Sequence, residues 1–473
     1  MAGSQLQEMT SSAPPLAKVE DVPLLDVAEV DVAAAAALAA EQVEACAFNL
    51  RLVYIETAFQ YLSLSLWHGI MLSQWMYLLS SDTRTVGIAE GLPGIAKLLA
   101  AVAAAVVVDA CPRNPLLLWA GVGGVAVHAL VAALVAAGDA VPLEVWYSVL
   151  SLHAVYAVMQ QVLTDAVFAD SVATGARAGP YTTLYMLRQC SGLVSPLLQL
   201  GYFALAPNAN HWTEAALRPV MLAGIGAGTV SCLLMASLDQ SRTLGQASEA
   251  AHVASPPPPA AAEEALPAGA EMPADSAPAK EAAAMASATR VRWLILLYDL
   301  LRVGFGGVAN KFVGLFFTNT FGVSPVGLAE LQLYCAVLSV VGTLSAGRLA
   351  RQGLRRGAIC LSLLVICDTA NIVVTLSHSL AVDTAAWVVR EGSLEAIFGL
   401  KKSLMMDHTP KSKRGRWSAV DALQGSVWAV ATMIGGFVIH AYGEPYGYRV
   451  ALGIMSLGFV LATLAFVPLV TRR

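Results

Sequence analysis

Phe168-Ala-Asp-Ser-Val-Ala-Thr-Gly-Ala-Arg-Ala-Gly-Pro-Tyr181 leaves one long apolar run and enters another, with Asp170 seven residues before Arg177. Met406-Asp-His-Thr-Pro-Lys-Ser-Lys-Arg-Gly-Arg-Trp417 sits in the same setting, with Asp407 seven residues before Arg414. A second echo agrees: Val86-Gly-Ile-Ala-Glu90 opens one apolar run and Val326-Gly-Leu-Ala-Glu330 opens another. Asp170 to Asp407 is a shift of 237 positions and Glu90 to Glu330 one of 240. A nearly constant shift between apolar runs means two related halves.

Those runs can only belong in a membrane. The chain is 57% hydrophobic and 13% charged, with a mean hydropathy of +0.64, whereas soluble domains carry about 25% charged residues. A membrane-spanning helix needs about 20 mostly apolar residues. Twelve candidates satisfy that, roughly 52–79, 86–108, 115–137, 143–168, 181–206, 217–238, 291–319, 325–347, 355–378, 381–404, 417–441 and 447–469. The runs are continuous rather than alternating, which excludes a β-barrel. Helices are the other structure that satisfies its own backbone in lipid. The expected fold is an all-α integral membrane protein of twelve transmembrane helices in two pseudo-symmetric six-helix bundles. Paired halves around a midplane site are the architecture of secondary transporters.

Basic residues set the expected orientation. With the N-terminus cytoplasmic, 18 Lys and Arg fall on the cytoplasmic side, including Arg348, Arg351, Arg355 and Arg356 in one connection and Lys401 to Arg416 around another. The opposite side holds four: Arg84, Arg218, Arg390 and Arg449. That asymmetry places both termini in the cytoplasm. Residues 1–50 read as an acidic, disordered cytoplasmic N-terminus, and residues 51–239 as the first six-helix half. Residues 240–289 form an Ala/Pro-rich disordered cytoplasmic linker, with the run Pro256–Pro259, and residues 290–473 are the second half. The acidic start is unlike an Arg-rich transit peptide. Glu20-Asp-Val-Pro-Leu-Leu25 fits an acidic dileucine sorting pattern, so a plasma membrane and a vacuolar or endosomal membrane both stay open.

Several chemistries find no footing. The seven cysteines show no paired CxxC spacing, so neither a disulfide nor a metal site is expected. There is no GxxxxGK[ST] phosphate loop and no Asp-Lys-Thr-Gly, which argues against ATP-driven pumping. No nucleophile–base motif stands out, and we expect no enzyme and no cofactor. The expected partners are a small-molecule substrate, the lipid bilayer and protons as coupling ions. No nucleic acid is expected, and a monomer is the expected working unit.

Gly347-Arg-Leu-Ala-Arg-Gln-Gly-Leu-Arg-Arg356 resembles the loop signature of the major facilitator superfamily, Gly-x-Leu-Ala-Asp-x-x-Gly-Arg-Arg, with Arg351 in the aspartate position and Gly353 one place early. The matching first-half loop, Ala105-Val-Val-Val-Asp109-Ala-Cys-Pro-Arg113, keeps the aspartate and one arginine. A plant, algal and bacterial branch of that superfamily is similar at Ala89-Glu-Gly91 with Gly94-Ile-Ala96 and at Phe168 to Val172 with Thr174-Gly175. It is similar again at Lys311-Phe312, Leu315 to Phe317, Ser324-Pro325, Met406-Asp407, Arg416-Trp417 and Gly435-Gly436. The resemblance implies the fold and a transporter class, and names no substrate.

In that fold the first helix of each three-helix unit lines the central cavity, and here polar residues concentrate in those helices. The resemblance thus implies cavity roles for Glu391, Glu395, Lys311, His68 and Gln160. An ionisable group at mid-membrane costs at least ~2.5–3.5 kcal/mol, so such groups are functional candidates. Glu391 and Glu395 are four apart and share a helix face. Two carboxylates that close in weakly solvated surroundings resist simultaneous ionisation, so the pair can carry a proton. Asp299 and Arg302, three apart, read as a local structural ion pair, and His128 as a packing residue. Asp109, Asp170, Arg177, Asp407 and Arg414 lie at cytoplasmic helix ends and are candidate gate residues between the halves. The expected function is secondary active transport of a small polar solute by alternating access, with proton symport. The alternative is a transporter-like receptor or scaffold without coupled transport.

Overall fold

The computed structural model describes residues 32–172, 178–243, 277–407 and 414–471. Helices follow one another along the described chain: α1 (Val32–Ser63), a π-helical turn (Leu64–His68), α2 (Ile70–Ser80), α3 (Thr83–Ala110), α4 (Arg113–Ala137), α5 (Leu143–Asp170), α6 (Ala178–Leu205) and α7 (Glu214–Ala236). The second half runs α8 (Ala277–Asn310), α9 (Val313–Phe321), α10 (Pro325–Arg351), α11 (Arg356–Leu376), α12 (Leu380–Asp407), α13 (Arg414–Tyr442) and α14 (Tyr446–Phe466). No strand occurs among the described residues.

Local sequence sets the boundaries. Asp82, Thr213 and Ser324 cap α3, α7 and α10 by accepting from the amides of Arg84, Ala216 and Gly327, a contribution of about 1 kcal/mol each. Pro325 occupies the first turn of α10, where its missing N–H costs nothing. Gly322 ends α9 at φ +67°, the left-handed conformation that glycine takes without a Cβ clash. α8 begins at Ala277, inside the stretch expected to be linker. The Ala-rich segment before Arg290 favours helix over coil. The rest of that linker, 244–276, and Glu20–Leu25 lie outside the described residues.

Among the described residues, eight helices are long and apolar enough, by length and composition, to cross a membrane. Their outward faces are apolar: Leu99, Val102, Trp119 and Leu376 are each about 70% exposed. Charge goes inward, with Glu56, Arg302, Asp368 and Arg390 buried, the reverse of a water-soluble protein. The other long rods are α1 with α2, α5, α6 and α12. At 28 residues each, α5, α6 and α12 extend about 42 Å, beyond a ~30 Å hydrocarbon core. What sets them apart is internal polarity. These are the rods that carry Glu56, Gln160, Gln189 and Glu391.

Packing repeats between the halves. In the first, α3 lies on α5 and α4 on α7; in the second, α10 lies on α12 and α11 on α14. The halves then meet along two equivalent seams, α3 on α13 and α6 on α10. The α3–α13 seam is close because glycines face each other. A Cβ at Gly87 would lie 3.1 Å from the Met433 carbonyl oxygen, and one at Gly94 would lie 2.0 Å from the Ala429 Cβ.

Candidate functional site

The first rod of each half is broken, and the breaks repeat. The π-helical turn ends at His68, and Gly69 turns the chain with φ −67° and ψ −127°. In the second half α8 ends at Asn310 and α9 resumes at Val313. His68 to Asn310 is 242 positions, close to the repeat shift seen in sequence. Broken helices at mid-depth expose backbone groups only where protein or a cavity meets them. Lys311 answers one of them: its Nζ lies 3.4 Å from the His68 carbonyl oxygen and pairs with Glu90 Oε1 at 2.7 Å. It therefore ties the two halves together across the breaks. The His68 ring turns into its own half, stacked 6.2 Å from His153.

A cavity of about 370 Å³ lies between the halves at this level. Ser65, Gly69 and Ile70 supply one wall, Gln189 and Ser195 of α6 a second, and Asn310, Gln332 and Trp387 most of the rest. Glu391 and Glu395, one turn apart on α12, both reach it. Arg390 does not. It is 0% exposed, and its guanidinium sits behind the wall, 4.4 Å over the Trp387 ring and 5.3 Å from the Phe459 ring. Nη1 pairs with Glu391 Oε1, and Nη2 donates to Asn310 Oδ1 at 2.7 Å. Glu395 Oε2 accepts from Gln189 Nε2 at 3.2 Å, and no cation lies within ion-pair distance of it among the described residues.

Gln160 sits elsewhere. Its Nε2 donates to Glu56 Oε1 at 2.6 Å and to Ser231 Oγ at 2.8 Å, inside the first half. Glu56 is 0% exposed and its Oε2 has no hydrogen-bond partner. His128 packs as expected, with Nδ1 2.8 Å from the Gly124 carbonyl oxygen. Of the five cavity candidates, then, Glu391 and Glu395 line the cavity, Lys311 sits at the seam, and His68 and Gln160 face the interior of the first half. The amides Gln189 and Gln332, and Trp387, were not singled out from sequence. An amide inside an apolar run was the signal available.

One expectation needs correction. Asp299 and Arg302 do not pair with each other: Asp299 pairs with Lys401 of α12, and Arg302 Nη1 meets Asp368 Oδ1 of α11 at 2.9 Å. Thr463 Oγ1 completes the second site at 2.5 Å from Asp368 Oδ2. A long side chain on a packed helix reaches a neighbouring helix more readily than the next turn of its own, and a buried charge needs that partner.

The gate candidates divide. Asp170 pairs with Arg113, and Gln240 bonds both, all within the first half. Asn49, Asn114 and Asp239 extend this polar knot with bonds of 2.7 to 3.2 Å. Arg177 lies outside the described residues, as do the side chains of Asp109, Asp407 and Arg414. Among the described residues, hydrogen bonds across the halves gather at the end that carries connections 81–82, 206–213, 322–324 and 443–445, hereafter the far end. Tyr77 Oη donates to Glu444 (2.9 Å), Trp212 Nε1 to the Val323 carbonyl (2.7 Å), the Val326 amide to Asn210 (3.1 Å), and His440 meets Asp82 (3.1 Å).

In sequence the chain matches no family model and no curated protein. Solved structures match over nearly the whole chain. A bacterial homologue of the human lysosomal transporter Spinster, inward-facing and occupied, superposes with a TM-score of 0.62 at 14% identity, covering 89% of this chain and 95% of the other. An inward-facing bacterial homologue of the iron transporter ferroportin gives 0.60 at 14%, covering 91% and 99%. The nucleoside transporter NupG gives 0.58 at 13%, covering 90% and 100%. The chain has the fold of the major facilitator transporters.

Proposed function

We propose that this chain is a secondary transporter that carries a small polar solute through the central cavity by alternating access. The observation that supports it best is the cavity's position. It lies between two repeated halves, at the level where the first rod of each is broken, with carboxylates on its wall. The solved proteins of the same fold are described as transporters of nucleosides, metals and organic anions. The basic-residue asymmetry puts the far end outside and both termini in the cytoplasm. Hydrogen bonds joining the halves at the far end then correspond to a cavity that communicates with the cytoplasm. Twelve spans, counting the four internally polar rods, give that topology.

Coupling is assigned to the proton and to Glu395. Arg390 neutralises Glu391, so Glu395 is the carboxylate free to exchange a proton when the halves rock. At the basic end the repeated Asp-x6-Arg sites bias which state is populated. Asp170, through Arg113 and Gln240, fixes the ends of α4 and α5 as one body, and Asp109, Arg177, Asp407 and Arg414 act with it across the halves. A coupling of a few kcal/mol is enough to invert such an equilibrium. Purified protein in liposomes tests the reading: a solute that stabilises the protein should exchange across the bilayer. A stabilising solute that never crosses would leave a receptor in place of a carrier.

A further inference from the structure

The identity of the cavity's charge follows from what the hydrogen bonds leave over. Basic residues near the site stay outside the cavity's lining. Arg390 is closed off behind Trp387 with Glu391 and Asn310 on its guanidinium. Lys311 is held by Glu90 and the His68 carbonyl, and Arg188 lies 5.0 Å over the Tyr61 ring in the first half. Lys97, on α3, is not among the cavity's lining residues; its Nζ lies 4.0 Å from where a Cβ on Gly425 of α13 would stand. No Lys, Arg or His lines the cavity among the described residues, whereas two carboxylates do.

The amides add acceptors, and their orientation is forced. An ionised carboxylate only accepts, so in the state with Glu395 charged the group of Gln189 that meets it is its NH₂; that nitrogen also lies 3.1 Å from Tyr185 Oη, which leaves Gln189 Oε1 for the cavity. Gln199 Nε2 reaches the Ser65 carbonyl oxygen at 3.3 Å, so Gln199 Oε1 is the acceptor for Gln332 Nε2, also at 3.3 Å. Gln332 Oε1 is then the atom left over. A backbone carbonyl at the helix break thus dictates, through two glutamines, that another oxygen is presented.

We propose, on the footing that this is the transport cavity, that its occupant is a small organic cation. A protonated amine sits against Glu395, its N–H groups meet the Gln189 and Gln332 oxygens, and its carbon skeleton lies on Trp387. An indole face attracts a cation beyond its apolar contact. Two carboxylates on a wall that no Lys, Arg or His lines repel an anion, and the amide nitrogen of Asn310 is a neutral donor left beside them. The cavity's roughly 370 Å³ lies at the small end of ligand pockets, which limits the occupant to a compact amine.

Thermal unfolding of the purified full chain with matched probes tests this. Benzylammonium and 1,4-diaminobutane should raise the midpoint in a dose-dependent way, as any ligand of the native state does; benzoate and succinate should not. Glu395→Gln should weaken benzylammonium at least about tenfold, the loss expected for one charge-assisted hydrogen bond. Trp387→Leu should weaken benzylammonium more than 1,4-diaminobutane. Glu395→Asp, which keeps the charge, serves if the glutamine variant fails to fold and should retain a response. Stabilisation by benzoate but not by benzylammonium, removed by Lys97→Met, would overturn the cation assignment and leave an anion carrier standing. Absence of a shift with either amine would also overturn it. Counterflow of benzylammonium in liposomes separates the two readings: binding without exchange keeps the cation site and removes the carrier.

Discussion

Replacing Gly87 by leucine should drive the halves apart at the far end. The seam there is backbone against backbone. A Cβ at position 87 would lie 3.1 Å from the Met433 oxygen and 3.2 Å from the Gly436 Cα, and one at Gly436 would lie 2.6 Å from the Thr83 oxygen. No side chain can swing away, so α3 and α13 must separate, lengthening the 3.3 Å bond from Thr83 Oγ1 to the Gly436 oxygen. Overpacking of this kind costs about 1–3 kcal/mol. The cost falls on the state joined at the far end and is relieved when that end opens. At about 2 kcal/mol the ratio of the two states changes by roughly 30-fold. Cys335 lines the cavity and can report the change. With the exposed Cys111 and Cys190 replaced by serine, an impermeant maleimide added at the far side should label Cys335 up to about 30-fold faster in Gly87→Leu. A variant of wild-type thermal stability with unchanged labelling would show that this seam does not open, and the alternating-access assignment of the far end would fall.

The two cavity glutamates should separate by measurement. Glu391→Gln leaves the buried Arg390 without its carboxylate and should cost about 3–5 kcal/mol in a thermal or denaturant assay. Glu395→Gln should fold normally, lose pH-driven accumulation and keep solute exchange; wild-type pH dependence in that variant would remove Glu395 as the proton carrier. Asp368→Asn should destabilise by a similar ~3–5 kcal/mol through the unpaired Arg302, while Arg302→Met with Asp368→Leu recovers most of it; equal losses in the single and double variants would contradict a pair. Asp239, in the connection after α7, is held below the ordinary carboxylate range by the Ser241 hydroxyl, then the Ser241 amide and Asn114. Its contribution is present above the unfolded value of 3.8 and is lost as pH falls through the lower folded value. Acid unfolding of Asp239→Asn should accordingly be less steep than that of the wild type, read by thermal midpoint against pH.

The two-half architecture was legible because it is written in spacing. Apolar length marks the rods, and a constant shift marks the repeat; the helix breaks after His68 and Asn310, which no spacing announced, keep nearly the same shift. The echo of Glu90 in Glu330 illustrates where spacing stops. Both open the second rod of their half, yet Glu90 is buried against Lys311 and Glu330 is exposed. Sequence places a residue on a face; the partner comes from whichever helix packs there. The same limit explains Asp299 and Arg302, whose three-residue separation describes one helix while their partners come from α12 and α11.

Charge in the cavity is subject to this limit most of all. Arg390, Glu391 and Glu395 read along the chain as a mixed group of acid and base, which suits a zwitterion, an organic anion or a sugar-like polyol. What a solute meets is different, because Arg390 leans back onto Trp387 and Phe459 and takes Glu391 and Asn310 with it. The arginine's contribution is to orient the wall, and Glu395 is left as its unpaired charge. The two glutamines add two oxygens to the wall, and their orientation descends from the Ser65 carbonyl and from Glu395 itself. Selectivity here is set by which atoms the surrounding bonds have already used, and a count of residue types cannot supply that.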